Sequence, residues 1–190
     1  MSNVAQTKHY PSEAAPPALA RAAVEAFVRE RRLIEPDDSG LPEYLMRPAA
    51  CFVSIKTVER DLRGCIGTTR PEQKTLAEEI IRNAVRAATR DPRFNPISED
   101  ELPALRYSVD VLESPEPCRP EELDPEIYGV IVEDSEGSRR GLLLPNIEGV
   151  ETAARQVEIA ARKAGIPPQQ PLKLFRFRTR RFKEAAAAQD

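Results

Sequence analysis

Residues 50–90, ACFVSIKTVERDLRGCIGTTRPEQKTLAEEIIRNAVRAATR, place a strand pattern, a glycine-containing segment and a helix pattern next to one another. Residues 50–57 alternate in polarity as a strand with one mostly buried face does. Residues 72–90 carry apolar side chains three and four positions apart, which predicts a helix with one apolar side. The stretch therefore predicts a fold that combines a sheet with helices.

The rest of the chain continues this mixture. Two more helices are predicted, from Pro16-Pro17 to near Pro36 and over residues 149–163, the second ending before Gly165. Further strands are predicted at residues 107–112, 128–132, 141–145 and 172–182. The first three are expected to be neighbours in one sheet, with residues 133–138 as a hairpin turn. Helices interleaved with local strand pairs favour an α+β fold with about three main helices.

Length and composition restrict the class of protein. A chain of 190 residues suggests one domain with one core, at residues 16–184 between tails at 1–15 and 185–190. A formal charge of -3 argues against a dedicated nucleic-acid binder. The chain has no apolar run long enough for a membrane helix, and its start does not resemble a secretory signal, so we expect a cytoplasmic protein without a membrane partner.

The cysteines argue against a metal centre. Cys51, Cys65 and Cys118 are odd in number and widely spaced, and His9 is the only histidine. This pattern predicts reduced thiols, no disulfide framework, no metal site and no cofactor.

The segment LRGCIGT, residues 62–68, is the main candidate for chemistry. Gly64 and Gly67 permit close backbone approach, so N–H groups there are able to converge on an anion or a carbonyl oxygen, with Arg63 and Thr68 at hand. Electropositive neighbours would favour the reactive thiolate of Cys65. The alternative is that the glycines form a tight turn and the cysteine is a small buried hydrophobe, and residue types alone favour this alternative.

Common motifs do not fit this segment. It lacks the Gly-Lys-Ser/Thr end of a Walker A loop and does not complete the dinucleotide-binding pattern. A Cys-His pair would need the predicted N-terminal tail to fold back over the segment, because the histidine lies there.

A family resemblance is carried by LRGCIGT together with five other segments. These are ARAAVE (20–25), CFVSI (51–55), DPRF (91–94), GLLLP (141–145) and RKAGI (162–166). In this order, over residues 18–184, the chain resembles the AMMECR-one domain family. The resemblance implies an α+β fold with a larger and a smaller lobe, a cleft near residues 62–68, and a pathway shared with Memo-type and radical-SAM proteins. It implies no particular reaction.

Three further residues are candidates for the same site. Asp91 and Arg93 follow the second helix and offer a carboxylate and a guanidinium fork, and Asn83 is polar among apolar neighbours. The structural alternatives are a helix stop with an ion pair for the first two and a solvent-facing or buried hydrogen-bonded amide for the third.

Two hypotheses follow from these residues. In the first, the cleft binds an unknown small molecule or modified residue, with Cys65 as nucleophile or thiol ligand and Asp91 as a second catalytic group. Its binding groups are Arg63, Gly64, Gly67, Thr68, Asn83 and Arg93. In the second, the protein is a non-catalytic adaptor that binds a partner protein.

Overall fold

The computed structural model describes residues 12–37 and 40–185, and the chain divides into two compact units. Unit 1 comprises Met1–Val111 and Arg181–Asp190, and unit 2 comprises Leu112–Arg180. Each unit has its own hydrophobic core. Two cores therefore replace the single core that the chain length suggests, and the larger unit is built from both ends of the chain. The assignment of residues 16–184 to one domain stays a prediction.

The described residues form three α-helices and eight strands. The helices are α1 (Ala15–Glu30), α2 (Leu76–Thr89) and α3 (Ala153–Lys163). The strands are β1 (Cys51–Thr57), β2 (Leu62–Gly67), β3 (Leu105–Leu112), β4 (Glu116–Pro117), β5 (Gly129–Asp134), β6 (Arg140–Leu143), β7 (Leu172–Phe177) and β8 (Thr179–Lys183). Short 3-10 turns connect several of them. The predicted α+β class is confirmed.

Unit 1 contains a sheet in the order β2-β1-β3-β8. Strand β1 is antiparallel to both of its neighbours. Val53 and Ile55 of β1 are fully buried in the core that α1 and α2 complete. Because side chains alternate along a strand, Phe52 and Ser54 lie on the opposite face. We call this opposite side the outer face of the sheet.

The helix ends are set by local chemistry. Thr75 accepts a hydrogen bond from the Glu78 N–H, and the Glu78 carboxylate accepts one from the Thr75 N–H, so this capping box starts α2 later than predicted. Helix α1 ends at Glu30, before the predicted end, because Arg31 adopts a left-handed conformation with φ 54°.

Unit 2 contains a sheet in the order β4-β7-β5-β6, with α3 packed against it. Strands β5 and β6 form the predicted hairpin, in which Val130 pairs with Leu143. Ala160 and Ala161 of α3 join Val130 and Val132 in the core. Gly165 follows the helix at φ +65°, the conformation expected of a C-terminal glycine.

Three predictions about strands need correction. Residues 62–67 form the edge strand β2, so the tight turn considered for its glycines does not form. Residues 172–182 are two strands: β7 pairs in the sheet of unit 2, and β8 joins the sheet of unit 1. Residues 107–112 belong to β3 of unit 1, so they are not in one sheet with β5 and β6. A sequence pattern identifies a strand but does not identify its partner.

Parts of the predicted tails, including His9, lie outside the described residues. Within residues 12–37 and 40–185, no helix has the length and apolar character needed to cross a membrane.

Candidate functional site

Gly64 fixes the orientation of the LRGCIGT strand. A Cβ atom at this position would overlap the carbonyl oxygen of Ala87, so β2 packs with its backbone directly on α2. Gly64 therefore faces the helix, and the alternation of the strand turns the neighbouring Cys65 to the outer face. The contact lies in the C-terminal part of α2.

Cys65 is half-buried on the outer face, directly across from Ser54 of β1. The Ser54 hydroxyl donates a hydrogen bond to the Cys65 sulfur at 3.2 Å. Burial raises the pKa of the Cys65 thiol above its ordinary value of 9.0, and this outweighs the Ser54 hydrogen bond and the charge of Arg93, which both lower it. Burial thus opposes formation of the thiolate, and the activated thiolate stays a prediction.

Asp91 connects the strand to the segment after α2. Asp91 is buried, with the whole residue 4% exposed, and its carboxylate accepts the Cys65 N–H at 2.8 Å. Arg93 donates to the same carboxylate through Nε at 2.9 Å and Nη2 at 2.7 Å. These Arg93 hydrogen bonds hold the pKa of the Asp91 carboxyl well below its ordinary range. Asp91 is thus a firmly ionised group that fixes the backbone of Cys65, and such a carboxylate is a weak base.

A second ion pair involves the outer face and consists of two residues that the sequence did not single out. Asp110 of β3 is opposite Phe52 in the register, and its carboxylate binds Arg181 of β8 through Nε at 2.6 Å and Nη2 at 3.0 Å. The charges of both Arg93 and Arg181 interact with the Cys65 sulfur. The surroundings of Cys65 thus combine a hydroxyl and two arginine–aspartate pairs with the thiol.

Arg63 is occupied elsewhere. Its guanidinium forms two hydrogen bonds with Glu101, at 2.6 and 2.9 Å, and donates to the Asn95 carbonyl oxygen at 2.9 Å. The Arg63 hydrogen bonds lower the pKa of Glu101 from 4.5 to about 2. The Arg63 side chain is only 17% exposed, so it ties β2 to the chain after α2.

Thr68 and Asn83 belong to a separate buried cluster on the helix side of the sheet. The Thr68 hydroxyl donates to Glu79 at 2.7 Å, and the Asn83 amide donates to the Cys51 carbonyl oxygen at 3.0 Å. The Asn83 Oδ1 atom is buried without a hydrogen-bond partner. Gly67 is on the outer face, where the ring of Phe52 occupies the space that a Cβ would need.

The structure thus brings together Cys65, Asp91 and Arg93, and it adds Ser54, Asp110 and Arg181, which the sequence analysis missed. It places Arg63, Thr68 and Asn83 in other contacts. Asp110 carried a usable signal, since a carboxylate within the apolar pattern of residues 107–112 needs a partner. Ser54 and Arg181 carried none, because their position depends on strand register.

No group of three or more metal-ligating side chains occurs in the part of the chain that the structure describes. The prediction that the protein holds no metal stays a prediction. Two cavities, of about 920 Å³ and about 250 Å³, both lie in unit 2.

The fold and the cluster define a class: an α+β protein with two antiparallel sheets and a cysteine-centred polar face on one of them. The chain belongs to the AMMECR1 family, whose model matches residues 17–183. The resemblance seen in the sequence is confirmed.

Relatives from bacteria and archaea support this assignment. The chain is 49% identical over 162 residues to a protein of Thermotoga maritima, the match covering 84% of this chain and 92% of that protein. It is 45% identical over 172 residues to a protein of Clostridium acetobutylicum, covering 88% of this chain but only 35% of that longer protein. The crystal structure of an uncharacterized protein from Pyrococcus horikoshii has the same fold, with a TM-score of 0.80 and 30% identity over 90% of this chain and 91% of that one.

Proposed function

We propose that this protein binds or modifies a small molecule or a modified residue at the outer face of the unit 1 sheet, with Cys65 as the reactive or ligand-contacting group. One observation carries the proposal: two arginine–aspartate pairs lie close enough for their charges to act on the Cys65 thiol, and in both pairs the arginine is the exposed partner. The LRGCIGT strand supplies the thiol, and the strands beside it supply the binding groups.

The ion pairs favour an anionic ligand. Asp91 and Asp110 have side chains 2% and 3% exposed, whereas the side chains of Arg93 and Arg181 are 54% and 46% exposed. A guanidinium has five N–H donors, and each aspartate uses only two of them. The remaining donors are available to a carboxylate or phosphate group, which arginine binds in a planar fork.

Cys65 is the reactive or ligand-contacting group in this proposal. Its thiol is protonated near neutral pH because burial raises its pKa. A nucleophilic step would begin with transfer of that proton to water or to a basic group of the ligand, and the charges of Arg93 and Arg181 would stabilise the resulting thiolate. Asp91 acts here as the residue that positions Cys65.

The proposal includes a pathway shared with Memo-type and radical-SAM proteins, which rests on the family resemblance. In the Clostridium acetobutylicum relative, the matched region accounts for 35% of a longer chain. A domain joined to further sequence is consistent with action alongside other proteins.

Alkylation of the native protein tests the role of Cys65. We expect iodoacetamide to modify Cys65 faster than Cys51, because Cys51 is fully buried and burial raises its pKa to about 12. Arg93→Gln should slow the modification of Cys65, since it removes a positive charge that favours the thiolate. Rates are followed by mass spectrometry of peptides at about pH 8, with Arg47→Gln as a control at an exposed arginine.

A second measurement asks whether a ligand is bound. Native protein and Cys65→Ser are purified in parallel, and their co-purified small molecules are compared by mass spectrometry. The proposal requires a compound that the variant loses while retaining its fold. Equal labelling of Cys65 and Cys51, with no compound lost in the variant, would refute it.

The rival function is the non-catalytic adaptor, which is favoured by an apolar groove in unit 2. This cavity of about 920 Å³ is lined by α3 and by apolar side chains that include Ala153, Val157, Ile166 and Leu174. An adaptor predicts that Val157→Asp abolishes partner binding while Cys65→Ser leaves it intact. The first function predicts the reverse dependence.

A further inference from the structure

The smaller cavity of unit 2 is polar, in contrast to the apolar groove. It has a volume of about 250 Å³, below the range of about 300–1,000 Å³ typical of sites for drug-sized ligands. Its polar lining consists of Glu113, Ser114, Glu116, Tyr128, Arg176 and Arg178. A cavity of this size fits a small metabolite.

Two guanidinium groups share the ring of Tyr128 in this cavity. The Arg176 and Arg178 guanidinium carbons both lie 4.7 Å from the ring centroid. Arg178 also donates to the Tyr128 hydroxyl at 3.0 Å. These contacts hold the Arg178 side chain in place without a carboxylate, and they leave the tyrosine proton free for another acceptor.

Of the four charged side chains that line the cavity, two form a salt bridge with each other. Arg176 binds Glu116 at 2.6 Å and donates to the Glu122 carbonyl oxygen at 3.1 Å. Among the described residues, neither Arg178 nor Glu113 takes part in a salt bridge, although the Glu113 N–H donates to the Arg178 carbonyl oxygen at 2.9 Å. Among the described residues, the positive charge of Arg178 and the negative charge of Glu113 therefore line the same small cavity without a salt-bridge partner. Their backbones are joined by a hydrogen bond.

We propose that this cavity binds a small zwitterion of the α-amino acid type. The ligand carboxylate binds the Arg178 guanidinium and accepts from the Tyr128 hydroxyl, and the ligand ammonium binds the Glu113 carboxylate. Ser114 supplies a further hydroxyl beside them. A simple anion such as phosphate satisfies Arg178 but is repelled by Glu113, whereas a zwitterion pairs both charges. The site is distinct from the Cys65 cluster, which lies in unit 1.

The test is to titrate the full chain with each of the common L-amino acids at about 5 mM, a range that detects millimolar dissociation constants. Saturation-transfer NMR identifies binding, and calorimetry measures it. At least one amino acid is expected to bind. The matching carboxylic acid without the amine, the matching amine without the carboxylate, and inorganic phosphate should each bind about tenfold more weakly or worse. This arm uses the unaltered protein, so it does not depend on the folding of any variant.

Variants then locate the site. Arg178→Gln and Glu113→Gln should each weaken binding of the amino acid about tenfold or more, since each removes a charge-assisted contact. Arg162→Gln, at an exposed arginine of α3, should leave it unchanged. The proposal is overturned if no amino acid binds, if phosphate or the carboxylic acid binds as tightly as the amino acid, or if folded Arg178→Gln and Glu113→Gln bind it as the unaltered protein does.

Discussion

Three arginine–carboxylate pairs of unit 1 differ in which partner is buried, and this burial determines what each pair offers to a ligand. In the Arg93–Asp91 and Arg181–Asp110 pairs the carboxylate is buried and the guanidinium is accessible. In the Arg63–Glu101 pair the guanidinium is the more buried group, with side chains 17% and 31% exposed. Arg63 therefore stabilises the fold around β2, and the anion-binding role predicted for it suits Arg93 and Arg181 better.

Glu101→Gln is expected to flatten the pH dependence of stability between about pH 4.5 and pH 2. Arg63 lowers the pKa of Glu101 from 4.5 to about 2, so in this interval the unfolded chain takes up a proton that the native protein does not. The free energy of unfolding of the natural protein must then fall as the pH falls. Urea unfolding at several pH values measures this slope.

The control for this experiment is Glu99→Gln. Glu99 has a side chain 68% exposed and a single longer contact with Arg29 at 3.4 Å. Replacing Glu99 should therefore leave the pH dependence of the free energy of unfolding nearly unchanged. Identical slopes for both variants and the natural protein would show that the Arg63 pair does not contribute.

At the residue scale, the sequence indicates which groups carry chemistry but not which of them meet. Cys65, Asp91 and Arg93 were predicted together and do lie together. Ser54 and Arg181 reach the same face only through the pairing of β1 with β2 and the place of β8 in the sheet. A shift of one residue in register would turn Ser54 to the opposite face, so the site could not be completed without the strand pairing.

At the scale of elements, the close packing of α2 on β2 depends on one missing side chain. Gly64 lets the backbone of the strand touch the helix at Ala87. The sequence analysis treated this glycine as a turn former or a binder of anions. Its observed role is packing, which glycine also permits because it has no Cβ.

Gly64→Ala is expected to lower the free energy of unfolding by about 2–3 kcal/mol. The added Cβ would overlap the carbonyl oxygen of Ala87, which belongs to a helix backbone and cannot rotate aside. Denaturant unfolding gives the change. The matched control is Gly137→Ala, where φ is +72° and a Cβ would meet nothing within 4 Å, so only a conformational cost of about 1 kcal/mol is expected. Equal losses at the two positions would contradict the packing role.

The elements themselves were largely predictable, because periodicity records which face of a segment is buried. Strand β1 and helix α2 follow their patterns closely. Strand β2 was ambiguous, since its two glycines are as typical of a turn as of close packing. The sequence did not show that the strand over residues 172–182 is interrupted at Arg178. The alternation of side chains continues through this stretch, although β7 belongs to the sheet of unit 2 and β8 to the sheet of unit 1.

At the scale of the whole molecule, the two chain ends of unit 1 are joined by a charged cluster. Glu184 accepts hydrogen bonds from Arg21 at 2.6 and 2.8 Å and from the Tyr107 N–H at 3.0 Å. The Arg21 guanidinium lies 4.8 Å from the centre of the Tyr107 ring. The last described residues are thus bound to α1 and β3.

Glu184→Ala should reduce the free energy of unfolding by about 2–3 kcal/mol, because Arg21 loses its two hydrogen bonds to Glu184 and the partly buried Tyr107 N–H loses its acceptor. Thermal and urea unfolding measure the loss. Glu25→Ala is the control, since Glu25 contacts the same arginine only at 3.4 Å and should cost less than about 1 kcal/mol. A loss at Glu184 no larger than at Glu25 would show that the cluster does not close unit 1.

The discontinuity of unit 1 has a consequence for synthesis on the ribosome. Strand β3 is complete when residue 112 has been added, but its neighbour β8 follows only after unit 2, about 70 residues later. At about 5–20 residues per second, the edge of β3 therefore remains unpaired for roughly 4–14 s in the growing chain. An unpaired strand edge is a site of association with other chains. Nascent chains that stall within unit 2 should therefore be the form of this protein most dependent on chaperones.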